Sequence, residues 1–201
     1  MLPKGSFATL ANGFQFHYHD GGQGDVVLFL HGSGTGASGF TNFKKNIDFF
    51  QRNGFRTIVP DLPGYGFSDK PEDEIYTMSF FNNLLLELLD HLNIANCSVV
   101  GNSLGGALAM GLSLEQPKRF SKLILMAPGG LEDFNAYQEM PGIKKLLGDF
   151  LGGEMNQEKI EGLLKLFPYD PSFVTKDIIE DRMEILPLMN QQVLASMDIP
   201  N

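Results

Sequence analysis

The chain has 201 residues, with 15 Lys and Arg against 24 Asp and Glu, a formal charge of -9, 43% hydrophobic residues, one Cys and no Trp. That length fits one domain, or a core with one sizeable insertion, and the apolar content offsets the entropy of ordering, which excludes a wholly disordered chain. The acidic balance would repel a phosphate backbone and excludes nucleic acid as a partner, a lone Cys fits a reducing compartment, and no signal peptide or membrane-length apolar run is present, so a cytoplasmic protein without membrane contact is expected.

Two short runs, Ser6 to Leu10 and Phe14 to His19, joined by Ala11-Asn12-Gly13, predict a hairpin, because Asn and Gly tolerate positive φ. Gly21-Gly22-Gln23-Gly24 breaks the chain before Val26-Val27-Leu28-Phe29-Leu30, an uninterrupted apolar run of the kind buried on both faces in a parallel sheet. A Gly-rich stretch follows, and Phe40, Phe43, Ile47 and Phe50 recur at helical spacing. Thr57-Ile58-Val59 is the next strand, closed by the Pro- and Gly-rich Pro60 to Gly66 loop. An apolar helix is expected from about Ser79 to Leu92, a strand over Cys97 to Val100, a helix over Leu104 to Glu115 and a strand over Leu123 to Met126. Strand and helix alternate from residue 26 to 126, the pattern of an α/β fold with a three-layer, mostly parallel sheet and right-handed crossovers. From Leu131 onward only helical patterns appear, at Ile143 to Phe150, Gln157 to Phe167, Val174 to Leu186 and Gln191 to Met197. Residues 1–130 are therefore expected to form the core, and residues 131–201 a helical lid over the sheet's carboxyl edge.

Gly101-Asn102-Ser103-Leu104-Gly105 is a G-x-S-x-G between the Cys97 strand and the following helix. Glycines on both sides permit the strained strand-to-helix turn that lifts a serine hydroxyl over a sheet edge, which makes Ser103 the candidate nucleophile. A helix-capping Ser103 would account for one glycine and one serine, but not for the symmetric pair. Acyl transfer also needs two N–H donors at the developing oxyanion. The loop His31-Gly32-Ser33-Gly34, beside the elbow, can supply the Ser33 amide, and the helix N-terminus the amide of Leu104. His31 itself suits a structural role. Asp61 and Asp69 lie in a loop where Asp ordinarily builds turns, and His17, His19 and His91 lack ligand spacing, so no metal is expected.

With these motifs, the chain resembles the α/β-hydrolase fold superfamily. Leu30 to Phe43, Pro60 to Pro71, the elbow and Leu125 to Gly130 resemble, more narrowly, the meta-cleavage product hydrolases, which hydrolyse a carbon-carbon bond in 2-hydroxy-6-oxo-dienoates from aromatic ring fission. The resemblance implies a small-molecule substrate, no cofactor, and an oxyanion loop of Gly32, Ser33 and Gly34. It further implies that Asn102 contacts the substrate's oxygens, Arg182 holds its carboxylate, Asn42 adds a polar contact and Phe167 an aromatic one. A planar guanidinium suits bidentate recognition of a carboxylate. The alternatives are a carboxylesterase with the same machinery and a noncatalytic binding protein on a decayed hydrolase.

In this fold the triad runs Ser, then Asp or Glu, then His, whereas all four histidines precede Ser103. The chain is accordingly expected to be truncated before the last strands. An incomplete record, a second polypeptide completing the fold, and a truncated noncatalytic protein all fit, the first being favoured. A sheet lacking those strands would expose an apolar edge, which predicts poor solubility or association into a homo-oligomer.

Overall fold

A computed structural model describes residues 2–144, 148 and 155–188. Strand β1 (Ser6–Thr9) and strand β2 (Gln15–Gly21) form the expected hairpin, and β3 (Asp25–Leu30), β4 (Phe55–Pro60), β5 (Cys97–Asn102) and β6 (Phe120–Met126) complete a six-stranded sheet in the order β1-β2-β4-β3-β5-β6. The first two strands are antiparallel to their neighbours, while β4, β3, β5 and β6 run parallel. Helices α1 (Gly39–Arg52), α2 (Met78–His91) and α3 (Leu104–Glu115) supply the crossovers.

Both sheet faces are covered, which is why the central strands read as unbroken apolar runs. Because side chains alternate along a strand, Leu28, Leu30, Ile58 and Val99 pack with Leu85, Leu88 and Leu89 of α2 and Leu108 and Leu112 of α3. Val27, Phe29, Val59 and Val100 pack on the opposite face with Phe43 and Ile47 of α1. The aligned pair Leu30 and Gly101 sets the carboxyl ends of β3 and β5 side by side. Loops leaving those ends meet by construction.

Beyond β6, α4 (Phe134–Glu139), α5 (Gln157–Leu164) and α6 (Lys176–Ile185) are helical. The sequence did not signal α4. The helix expected over 157–167 stops at Leu164, three residues before Phe167, where the following Pro168 disfavours helical backbone. The one expected over 174–186 starts at Lys176, with Thr175 in the cap position, and gives way to a 3-10 turn over Leu186–Leu188. The expected 191–197 helix, and much of that over 143–150, lie outside the described residues. Strand β6 is the edge of the described sheet, and Ile124, Leu125 and Met126 are 50%, 36% and 42% exposed, as the sequence led one to expect. Among the described residues no helix is long and apolar enough to cross a membrane.

Candidate active site

The turn from β5 into α3 is strained at one residue. Ser103 has φ 51° and ψ -114°, a region costly for a residue with a Cβ. Its backbone is fully committed: the N–H donates to the Met126 carbonyl (2.9 Å), and its carbonyl accepts from Gly106, Ala107 and Gly129 (2.9–3.1 Å). Those bonds hold the strain in place. The flanking glycines are steric necessities, because a Cβ at Gly101 would strike the Gly105 carbonyl, and one at Gly105 the Leu30 carbonyl of β3. The Ser103 hydroxyl caps nothing and is half-buried, with no bond to any described residue. The capping alternative for Ser103 therefore does not hold.

The loop after β3 lies against this elbow. A Cβ on Gly32 would sit 3.2 Å from Ser103 Cβ and 3.3 Å from Asn102 Nδ2. Gly34 (φ 153°) and Gly36 (φ 67°) curve the loop, and the Ala37 N–H donates to the Gly34 carbonyl. Ser33 is exposed at the loop's tip. Leu104 opens α3, where its amide has no intrahelical acceptor. Asn42, on α1, accepts at Oδ1 from Asn102 Nδ2 (3.0 Å) and from the Gly32 N–H (3.5 Å). One amide thus ties α1, the loop and the elbow together.

The loop is anchored from below by two groups that do no chemistry. His31 is fully buried; its Nε2 accepts from the Leu62 N–H (2.9 Å), so Nδ1 carries the proton that reaches the Gly32 carbonyl (2.9 Å). Burial pushes this imidazole down to about 4, outweighing the Gly32 hydrogen bond and the Asp61 charge that oppose it, and the Arg182 charge adds least. Asp61 accepts from Gly39 N–H (2.7 Å) at Oδ1, and from Phe67 N–H (2.9 Å) and His17 Nδ1 (2.8 Å) at Oδ2. Burial alone would raise this carboxyl, but the His17 and Phe67 donors outweigh it and hold it below the usual carboxylate range. Asp69 accepts from Gln15 N–H. Both aspartates brace loops, as their sequence context suggested.

Arg182, from α6, reaches the same loop. Its Nη1 donates to the Thr35 carbonyl (3.4 Å), and its Nε is buried without a partner. Burial draws the guanidinium down to about 10, which leaves it charged near neutrality, and no carboxylate pairs with it among the described residues. Two further buried polar atoms lack partners nearby, Asn42 Nδ2 and Thr35 Oγ1. Thr35 was not among the residues singled out in the sequence, and a threonine in a Gly-rich loop gives no signal of its own. Phe167 is not brought to the site: it is 67% exposed, beyond the end of α5. No described imidazole bonds Ser103.

The site can therefore present a hydroxyl on a strained turn, the Leu104 amide next to it, unsatisfied polar atoms on the adjoining loop and on α1, and an arginine that no described carboxylate pairs. The family model described as alpha/beta hydrolase fold matches residues 25–157. The chain is 38% identical, over 84% of its length, to the 2-hydroxy-6-oxo-6-phenylhexa-2,4-dienoate hydrolase of Burkholderia cepacia, and covers 59% of that protein. It is 37% identical to the 2-hydroxy-6-oxononadienedioate/2-hydroxy-6-oxononatrienedioate hydrolase of Comamonas testosteroni, again covering 59% of it. Among solved structures, the meta-cleavage product hydrolase CumD of Pseudomonas fluorescens superposes with a TM-score of 0.79 at 30% identity, over 96% of this chain and 66% of that one. The chain thus spans about three fifths of the length of the curated relatives it matches.

Proposed function

The chain belongs to the alpha/beta hydrolase fold family, and from that premise we propose that the complete gene product is a serine-dependent carbon-carbon hydrolase acting on a 2-hydroxy-6-oxo-dienoate. Ser103 acts as the nucleophile and the Ser33 and Leu104 amides receive the oxyanion, with Gly32 and Gly34 keeping the loop close to the elbow. The observation that carries the substrate class is Arg182. A partly buried guanidinium whose Nε is fully buried without a partner is costly unless something anionic meets it, and here that partner is the substrate carboxylate. Asn102, positioned by Asn42, holds an enol or keto oxygen of the same molecule. Relatives named as dienoate hydrolases support this assignment. Residues 131–201 serve as the lid that delivers Arg182. A cytoplasmic setting fits the single buried Cys97.

Hydrolysis breaks one carbon-carbon bond: the acyl carbon gains the hydroxyl of water and leaves as a carboxylate, and the dienoate carbon gains the proton. A base to activate Ser103 is required, and no described histidine is placed to serve. The test is turnover by the complete gene product, followed as loss of dienoate absorbance and release of the two acids. Arg182→Ala is expected to lower kcat/KM for the dienoate by on the order of a hundredfold, as loss of a charge-assisted pair would, and p-nitrophenyl acetate hydrolysis by less than about threefold. Turnover of esters alone would favour a carboxylesterase and sink the proposal.

A further inference from the structure

Arg182 does not hold α6 against the core by itself. Two residues after Asn42, the same helix α1 presents Lys44, whose Nζ donates to Asp177 Oδ2 (2.6 Å) and Asp181 Oδ2 (2.5 Å) on α6. The Lys44 and Asp181 side chains are only 16% and 15% exposed. Burial would lower the Lys44 ammonium, yet the two aspartates raise it above its ordinary value. Next to it, Lys45 Nζ stands 4.1 Å over the ring of Phe173, in the turn leading into α6. On the other side, Gly36 lies so close to α6 that a Cβ there would strike the Arg182 carbonyl.

Asp181 immediately precedes Arg182. Successive side chains on a helix are separated by about 100°, so fixing the direction of Asp181 also fixes that of Arg182. Asp177 lies one turn earlier on the same face, and two bonds a turn apart restrain both rotation and height. Helix α1 therefore sets both polar sides of the site: Asn42 places the elbow amide, and Lys44 places the guanidinium.

We propose that Lys44 is a positioning residue that locks α6 so that Arg182 meets a substrate carboxylate, and thereby sets the preference for anionic over neutral substrates. This rests on the function proposed above. Lys44 also neutralises two aspartates at the rim. Left unpaired, Asp181, only 15% exposed, would repel an incoming anion in a partly desolvated setting, where charges interact more strongly than in bulk water, while Asp177, 60% exposed, would add a screened repulsion.

The experiment uses the complete gene product with two substrates, a dienoate acid and its methyl ester. Lys44→Met should raise KM for the acid about tenfold with kcat held within about twofold, should leave KM for the methyl ester within about twofold, and Lys44→Arg should recover most of the loss. A purely architectural role would penalise acid and ester alike, and that result overturns the proposal, as does an unchanged KM for the acid or a failure of Lys44→Arg to recover. If Lys44→Met does not fold, Lys44→Gln keeps a donor without the charge and is held to the same outcomes. If the wild-type protein turns over no dienoate, the function proposed above has failed. The same contrast is then read with a p-nitrophenyl ester bearing a free carboxylate and its methyl-blocked counterpart, and Lys44 stands or falls on that pair.

Discussion

At Ser103 the positive φ, the spent backbone bonds and the unbonded hydroxyl occur together, and each follows from a neighbouring residue that leaves no room for anything else. The Gly101 and Gly105 contacts explain the doubled glycine that a simple cap would not require. His31 belongs to the same scale. Burial pushes its ring down to about 4 against an ordinary 6.5, and the neutral ring leaves the Nε2 lone pair for the Leu62 amide. Between those values the unfolded chain takes up a proton that the folded one refuses. The His31 contribution is therefore intact above pH 6.5 and falls away as the pH drops toward 4, by on the order of 3 kcal/mol. Urea unfolding midpoints measured from pH 7 to 4.5 are expected to fall more steeply for the wild type than for His31→Gln, which cannot titrate. Parallel slopes would show that the ring is not buried neutral.

Helix α1 is the element that organises the site. It starts at a capping box, in which Ser38 Oγ accepts from Thr41 N–H (3.1 Å) and Thr41 Oγ1 accepts from Ser38 N–H (3.0 Å), with Thr41 Oγ1 also reaching the Gly36 carbonyl (3.2 Å). Asp61 receives the Gly39 N–H, so this helix start is tied to the loop after β4 as well. Ser38→Ala is expected to cost about 1–2 kcal/mol by chemical denaturation, and a loss within a few tenths would mean that the box is not holding α1. The helix period of Phe40, Phe43, Ile47 and Phe50 was legible in the sequence because one apolar face repeats locally. The role of Lys44 was not, because its partners Asp177 and Asp181 lie more than a hundred residues away in sequence.

Across the whole molecule, the alternation of apolar runs and helical periods fixed the sheet and its crossovers, and the G-x-S-x-G in its strand-to-helix setting fixed where chemistry would lie. Arg182 and Asn102 were legible only through resemblance, since an arginine on a short helix carries no mark of its destination until tertiary packing brings it to Thr35. Phe167, taken from the same resemblance, sits in the surface of the described residues instead. Strand β6 leaves Ile124, Leu125 and Met126 exposed along the edge of the described sheet. The account rests on one hydroxyl being a nucleophile in the protein as it is made. Treating the complete gene product with a fluorophosphonate probe and mapping the adduct by peptide mass tests this directly. The predicted result is a single adduct on Ser103 that disappears in a folded Ser103→Ala variant. An unlabelled wild-type protein, or a label that persists in Ser103→Ala, would contradict it.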